Sequence, residues 1–274
     1  MPDETQSPLN HLLMKVNKPI FAIQTDNTIN FISKNFDFFT TGFKENTGSR
    51  ILAFVPAVRL ESLGDESFKK RHKLKYPYIA GAMANGITSA AMVKTMAHNG
   101  MMGFFGAGGL SIKKIEENII DLKTCLKDMP FGFNLIHSLG DPDHEMATID
   151  LYLRHGITRI SAAAFMRITP ALVYYRIKGI YRDSRGWIVT PNNIIAKVSR
   201  IEIARQFFSP PPEKLVALLL EKGLITQEEA DLSAYIPMAQ DLTAEADSGG
   251  HTDNRPALTL LPTMMALKNE FMAT

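Results

Sequence analysis

A parallel β/α barrel is the fold this sequence predicts, and three observations predict it. From Tyr78 onward, short apolar runs alternate with segments of helical spacing through six units, the pattern of strands joined by helical crossovers. The runs are apolar almost throughout, as strands are when both faces are covered. Glycines and polar residues collect at the C-terminal ends of the runs, the face that carries the site in a barrel. The rival is an open doubly wound sheet, which wants a GxGxxG turn after its first strand. "GFFGAGG" at 103–109 lacks that spacing, and no acidic residue ends the next run. The expected fold class is therefore α/β, a (β/α)8-type barrel that is incomplete, about six units, preceded by a small segment containing β-structure.

Each unit has its own signals. "YIAGAMA" (78–84) is a short apolar run ending in small residues, and "SAAMVKTMAHNG" (89–100) has helical spacing with a glycine to end it. "MMGFFGAGG" (101–109) is the second strand. In "SIKKIEENIIDLKTCLKD" (111–128), Ile112, Ile115, Ile119, Leu122 and Leu126 form a stripe, and Ser111 is the N-cap. "PFGFNLI" and "EMATIDLYLRHG" make the third strand and helix, "TRISAAA" and "PALVYYRIKG" the fourth pair. "DSRGWIVTPN" is a polar excursion, and "IIAKVS" with "RIEIARQFF" is the fifth pair. Two helices are inserted at about 209–237: Pro211 and Pro212 suit a helix start, and Thr226 with Glu229 has capping-box spacing. "MAQDLTAE" (238–245) is the sixth strand, and "LTLLPTMMALKNEF" the helix after it, with Pro262 in its first turn or two.

The division expected is 1–75 and 76–274. In the first part, "KPIFAIQTDNTINFIS" reads as a hairpin turning at "TDNT", and "ILAFVPAVRLESLGDESFKKRHKLKYP" as a connecting stretch. Hydrophobic residues are 45% and charged residues 21% of the 274, and the net charge is +2, so nothing points to nucleic acid or an anionic membrane. No apolar run approaches the roughly 20 residues of a membrane span, and the acidic, polar start is unlike a secretory signal. A single cysteine, Cys125, forms no internal disulfide and no multi-cysteine metal site. No histidine pair has HExxH spacing, so no metal is expected. A cytoplasmic setting fits.

The strand ends carry the candidate chemistry: "GAMA" at 81–84, "GAGG" at 106–109, Asn134, "SAAAF" at 161–165, Lys197, and "SGGH" at 248–251. Small residues recur at four of these six ends, where they let backbone approach a flat, wide ligand. Asn134 and Lys197 add polar contacts and His251 a titratable one. Such a lining suits a planar heteroaromatic cofactor better than a metal. Bland readings stand beside this one. Any of the glycines serves strand-to-loop geometry, Lys197 pairs with a phosphate, a ring oxygen or a carboxylate or forms a Schiff base, and His251 is structural.

The strings "PYIAGAMANGI", "GFFGAGGL", "PFGFNLIHS", "SAAAFMRITPALVYYRIKG", "IIAKVSR" and "LTAEADSGGHTDNRP" resemble the trans-acting enoyl reductases of polyunsaturated fatty acid and polyketide synthases, the PfaD family. That family lies within the 2-nitropropane dioxygenase-like flavoproteins, and the resemblance runs from roughly Leu52 to Lys268. It implies an FMN-dependent oxidoreductase that takes hydride from NAD(P)H and reduces carrier-bound enoyl thioesters. The partners implied are an acyl carrier protein and synthase subunits, and a homo-oligomer is compatible with it. Gly81, Ala82 and Met83 lie beside the flavin in this reading. Asn134 and Lys197 hydrogen-bond its ring or ribityl chain, Gly249 and Gly250 admit it, and His251 is the catalytic histidine. The alternatives are a nitronate-oxidising flavoprotein with His251 as base, or an inactive chain acting only as a binding partner. Six units contain no phosphate loop of the kind that follows strands seven and eight. The chain alone is accordingly expected to bind FMN poorly, to show little reductase activity, and to expose its sixth strand's edge.

Overall fold

The structure is a computed structural model that describes residues 8–33, 49–138, 140–246 and 256–272. The chain forms two compact units, Met1–Pro77 and Tyr78–Thr274.

In the first unit, helix α1 (Pro8–Leu13) precedes strands β1 (Ile20–Thr25), β2 (Thr28–Ile32) and β3 (Ser49–Val55), paired antiparallel in the order β2-β1-β3. The β1–β2 hairpin turns through two residues, with Asp26 at φ 53°, as a tight right-twisting hairpin requires. The stretch expected to be only a connection contains β3 and a helix, α2 (Glu66–His72). Every residue of β3 after Ser49 is exposed, so it shows no alternation in sequence; pairing with β1 makes it a strand. Helix α2 is started by Asp65, whose carboxylate accepts the Ser67 N–H at 2.7 Å.

The second unit holds β4 (Ile79–Ala80), α3 (Ala90–His98), β5 (Met102–Phe105), α4 (Ile112–Leu126), β6 (Gly132–Ile136) and α5 (Pro142–Arg154). There follow β7 (Arg159–Ala163), α6 (Pro170–Ile177), the short strands β8 (Tyr181–Arg182) and β9 (Ile188–Val189), β10 (Asn193–Val198) and α7 (Ile201–Phe208). The inserted helices α8 (Glu213–Glu221) and α9 (Gln227–Ser233) then lead to β11 (Asp241–Ala244) and α10 (Ala257–Met272). The polar excursion is the antiparallel ribbon β8–β9.

Six parallel strands form one sheet in the order β4-β5-β6-β7-β10-β11. Each strand lies beside its predecessor. A doubly wound sheet reverses direction at a switch point; this one advances in a single sense, as a barrel does. Local chemistry explains the helix starts. Ser89, Ser111, Asp141 and Thr169 each accept a backbone N–H at their helix's start, and Thr226 with Glu229 makes the expected capping box.

β11 is shorter than the run 238–245. The N–H groups of Met238 and Ala239 donate to Ser209 O and Phe207 O, at 2.9 and 3.0 Å, so these two buried residues close the insertion onto α7 instead of joining the ladder. Pro262 sits in the second turn of α10. Gly249, Gly250 and His251 lie outside the described residues.

Candidate active site

The two faces of the sheet differ. Phe105, Phe133, Leu135, Ile160, Ala162, Ile194, Ala196 and Val198 belong to the core shared with the helices. By the two-residue alternation of a strand, Gly132, Asn134, Ser161, Ile195, Lys197 and Thr243 face the other way. Registers confirm the grouping: Asn134 pairs with Ser161, Ser161 with Ile195, and Lys197 with Thr243. On this inner face the early positions are apolar, including Met102 and Phe104. The positions toward the C-terminal ends are polar.

Lys197 does not reach into the site alone. Its ammonium lies 2.6 Å from Glu245 Oε1, with the two side chains 20% and 11% exposed. Of the roles open to this lysine, pairing with a carboxylate is the one the free chain adopts. A half-buried cation needs such a partner.

Asn134 has a different task from the one expected. Its Oδ1 accepts the N–H groups of Ala107 and Gly108, at 2.6 and 3.1 Å. It thereby ties the loop after β5 to β6. The remaining amide group, Nδ2, has no partner among the described residues, and neither has the Ser161 hydroxyl beside it, although both residues are buried. These two groups are free to meet a polar edge.

The glycines divide likewise. A methyl on Gly81 would meet nothing within 4 Å, so this position opens onto empty space. In the "GAGG" loop the space is filled by protein. A methyl on Gly106 would overlap the Met83 carbonyl oxygen, one on Gly108 the Ile136 side chain, and one on Gly109, at φ +78°, the Asn85 amide. The reason for these glycines is loop-on-loop contact, and the reading that all four small-residue ends are cleared for a ligand is corrected here. The N–H groups of Asn85 and Gly86 donate to Gly108 O and Gly106 O, at 2.7 and 2.8 Å. Fully buried Thr88 completes the joint: its Oγ1 accepts the Met83 N–H at 2.8 Å and donates to Gly81 O at 3.0 Å. Gly81, Ala82 and Met83 are thus held in one conformation, with Met83 exposed.

Behind the site, the Tyr152 hydroxyl donates to Asn134 O at 2.9 Å, and burial pushes its pKa well above the ordinary phenol value. Among the described residues, no group of three or more His, Cys, Asp or Glu could hold a metal ion, and no helix is long and apolar enough to cross a membrane. Sequence reasoning missed Thr88, Ser161 and Glu245. Strand parity was the available signal for the last: Glu245 stands two residues beyond Thr243, the register partner of Lys197.

A singly wound parallel sheet, apolar toward its helices and polar at the C-terminal end of its free face, defines a β/α-barrel protein with its site on that rim. The nitronate monooxygenase family model matches residues 66–226, and the chain belongs to that family. It is 45% identical to the polyketide biosynthesis protein PksE of Bacillus subtilis over 216 residues, 78% of this chain and 28% of that protein. It is 39% identical to a polyunsaturated fatty acid synthase polypeptide of Thraustochytrium sp. over 257 residues, 94% of this chain and 16% of that protein. The chain thus spans well under a third of these relatives' lengths. Among solved structures it resembles the enoyl reductase domain of MlnA, from the macrolactin biosynthesis cluster of Bacillus amyloliquefaciens. The TM-score is 0.75 at 39% identity, covering 78% of this chain and 48% of that one.

Proposed function

We propose that this chain is the site-bearing part of a flavin-dependent enoyl reductase, one that uses NAD(P)H and FMN to reduce enoyl thioesters carried by an acyl carrier protein. The setting is polyketide or polyunsaturated fatty acid synthesis in the cytoplasm, with the synthase subunits as partners. The observation that carries this reading is the likeness, in sequence and in fold together, to the enoyl reductase domain of MlnA.

The residues present fit a flavin. Gly81 leaves open space where a side chain would obstruct a flat ring, and Asn134 Nδ2 and the Ser161 hydroxyl are unpaired polar groups on the same face. Bound FMN supplies hydride transfer, from the nicotinamide to the β-carbon of the enoyl thioester. The chain's own contribution is positional and electrostatic. Asn134 and Ser161 orient the ring edge, while Lys197, held by Glu245, keeps a positive charge beside it. His251 delivers the proton to the α-carbon or hydrogen-bonds the thioester oxygen as negative charge develops there. NAD(P)H and one proton are consumed for each double bond reduced.

The test is turnover of an enoyl-pantetheine thioester, followed alongside the flavin-to-protein ratio. His251→Ala should lower turnover by about 10²-fold and leave flavin content unchanged. A protein that keeps its flavin and oxidises an alkyl nitronate, yet leaves the enoyl thioester unreduced, would sink the reductase reading in favour of nitronate oxidation.

A further inference from the structure

A second cavity on the same rim is unused by the site described above. It has a volume of 490 Å³ and lies among the loop after β7, the N-terminal ends of α5 and α6, and the inserted helix α8. Met146, Ile168 and Leu215 give it apolar walls. Arg167 and Lys222 also line it; both are exposed, and neither side chain has an ion pair or hydrogen bond among the described residues. Asp143 is the one lining carboxylate likewise without a partner among the described residues, so the free charges leave the cations in excess. Two helix N-termini converge on the cavity, which further favours negative charge.

The most buried lining side chains are His137 and Glu145, 6% and 3% exposed. His137 stacks on Phe165 at 5.0 Å between centroids, and its Nδ1 lies 3.0 Å from Glu145 Oε2. The other oxygen of Glu145 accepts the Thr169 hydroxyl. This arrangement leaves His137 Nε2 buried with no hydrogen-bond partner, a state that is costly unless something meets it. With the Nδ1 proton directed at Glu145, Nε2 is a hydrogen-bond acceptor.

Cationic residues without partners, apolar walls and an orphaned acceptor describe a ligand that is anionic at one end, apolar along its shaft and bears N–H or O–H donors. We propose that this cavity receives the phosphorylated pantetheine arm of the thioester substrate. The phosphate is held by Arg167 and Lys222, and an amide N–H of the arm donates to His137 Nε2. Naming the arm rests on the enoyl thioester reading; the phosphate preference rests on the cavity alone. A volume of a few hundred Å³ is ordinary for a ligand of this size.

Calorimetric titration of the full chain with 4′-phosphopantetheine and with pantetheine tests the inference. The phosphorylated probe should bind about 10-fold more tightly. The double variant R167Q/K222Q, altered only at exposed positions, should erase that difference, and His137→Leu should weaken both probes alike. Absent or equal affinity of the two probes for the unaltered chain overturns the inference, as does a phosphate preference that survives R167Q/K222Q. Coenzyme A and a phosphopantetheinylated carrier protein are the two sources of such an arm, and whichever binds more tightly identifies the one used. No arm of the titration needs FMN or turnover. Phosphate-selective binding in a protein that reduces no enoyl thioester would retire the function and keep the site; reduction without phosphate selectivity would do the reverse.

Discussion

On β6 and β10 the side chains turned toward the helices, Phe133, Leu135, Ile194, Ala196 and Val198, are apolar and at most 3% exposed, whereas those turned the other way include Asn134 and Lys197. Both sets hang from the same backbone. The outer set packs against helices that the same chain supplies. The inner set carries polar groups, some spent on holding loops and some unspent. The difference separates stability from chemistry by a single residue of register, because successive side chains of a strand point to opposite faces.

The largest effect should come from the outer face. Phe133→Ala empties a fully buried position that touches Phe105 and Tyr152 through its ring, and should cost about 3–5 kcal/mol. Urea unfolding measures it; a loss under about 1 kcal/mol would mean that the two faces do not divide the work in this way.

Gly106→Ala tests the joint between the two rim loops. The added methyl meets the Met83 carbonyl, which is backbone and cannot swing aside, so the loop 81–83 must move. The expected loss is about 3 kcal/mol, together with weaker flavin retention. A variant of unchanged stability and flavin content would show that the loops are not locked together as described.

Alkaline pH probes the layer behind the inner face. Tyr152 and Tyr175 are fully buried, their hydroxyls donate to Asn134 O and Ile157 O, and burial raises both pKa values. An unfolded phenol loses its proton near pH 10, while the folded chain keeps both protons. The stabilisation is complete below about pH 10 and is lost as pH rises above it, by up to about 1.4 kcal/mol per pH unit for each tyrosine. Urea midpoints taken from pH 8 to 11 should bend downward at the alkaline end, and the bend should shrink in Tyr152→Phe. An identical profile in that variant would contradict the assignment.

The smallest effect on stability should be at the unspent positions. Ser161→Ala removes a hydroxyl that has no partner among the described residues, so stability should change by no more than about 0.5 kcal/mol, while FMN affinity falls. Affinity is read from quenching of flavin fluorescence. A stability loss of about 2 kcal/mol with unchanged flavin affinity would return Ser161 to the structural set.

Much of the fold was legible because local rules and tertiary packing agree. The Ile112–Leu126 stripe, the Ser111 cap and the Thr226–Glu229 box describe helices that form where their residues say they should. Strand β3 was not legible, since its exposed residues carry no alternation and only a partner strand defines it. The site was legible in part. Its polar residues stand at strand ends, but a sequence does not tell which neighbour will take up a hydrogen-bonding group.

By itself, then, the sequence determined the order of strands and helices, the apolar character of the strands, and the collection of small and polar residues at one end of them. These follow from periodicity and capping, which act within a few residues along the chain. Only the tertiary structure decided that Lys197 is held by Glu245, that Asn134 spends its oxygen on the loop after β5, and that the glycines of that loop make room for Met83, Ile136 and Asn85 rather than for a ligand. Each of these depends on segments distant in sequence meeting across adjacent strands, and parallel strands are brought together by crossovers whose length carries no record of which side chains will touch.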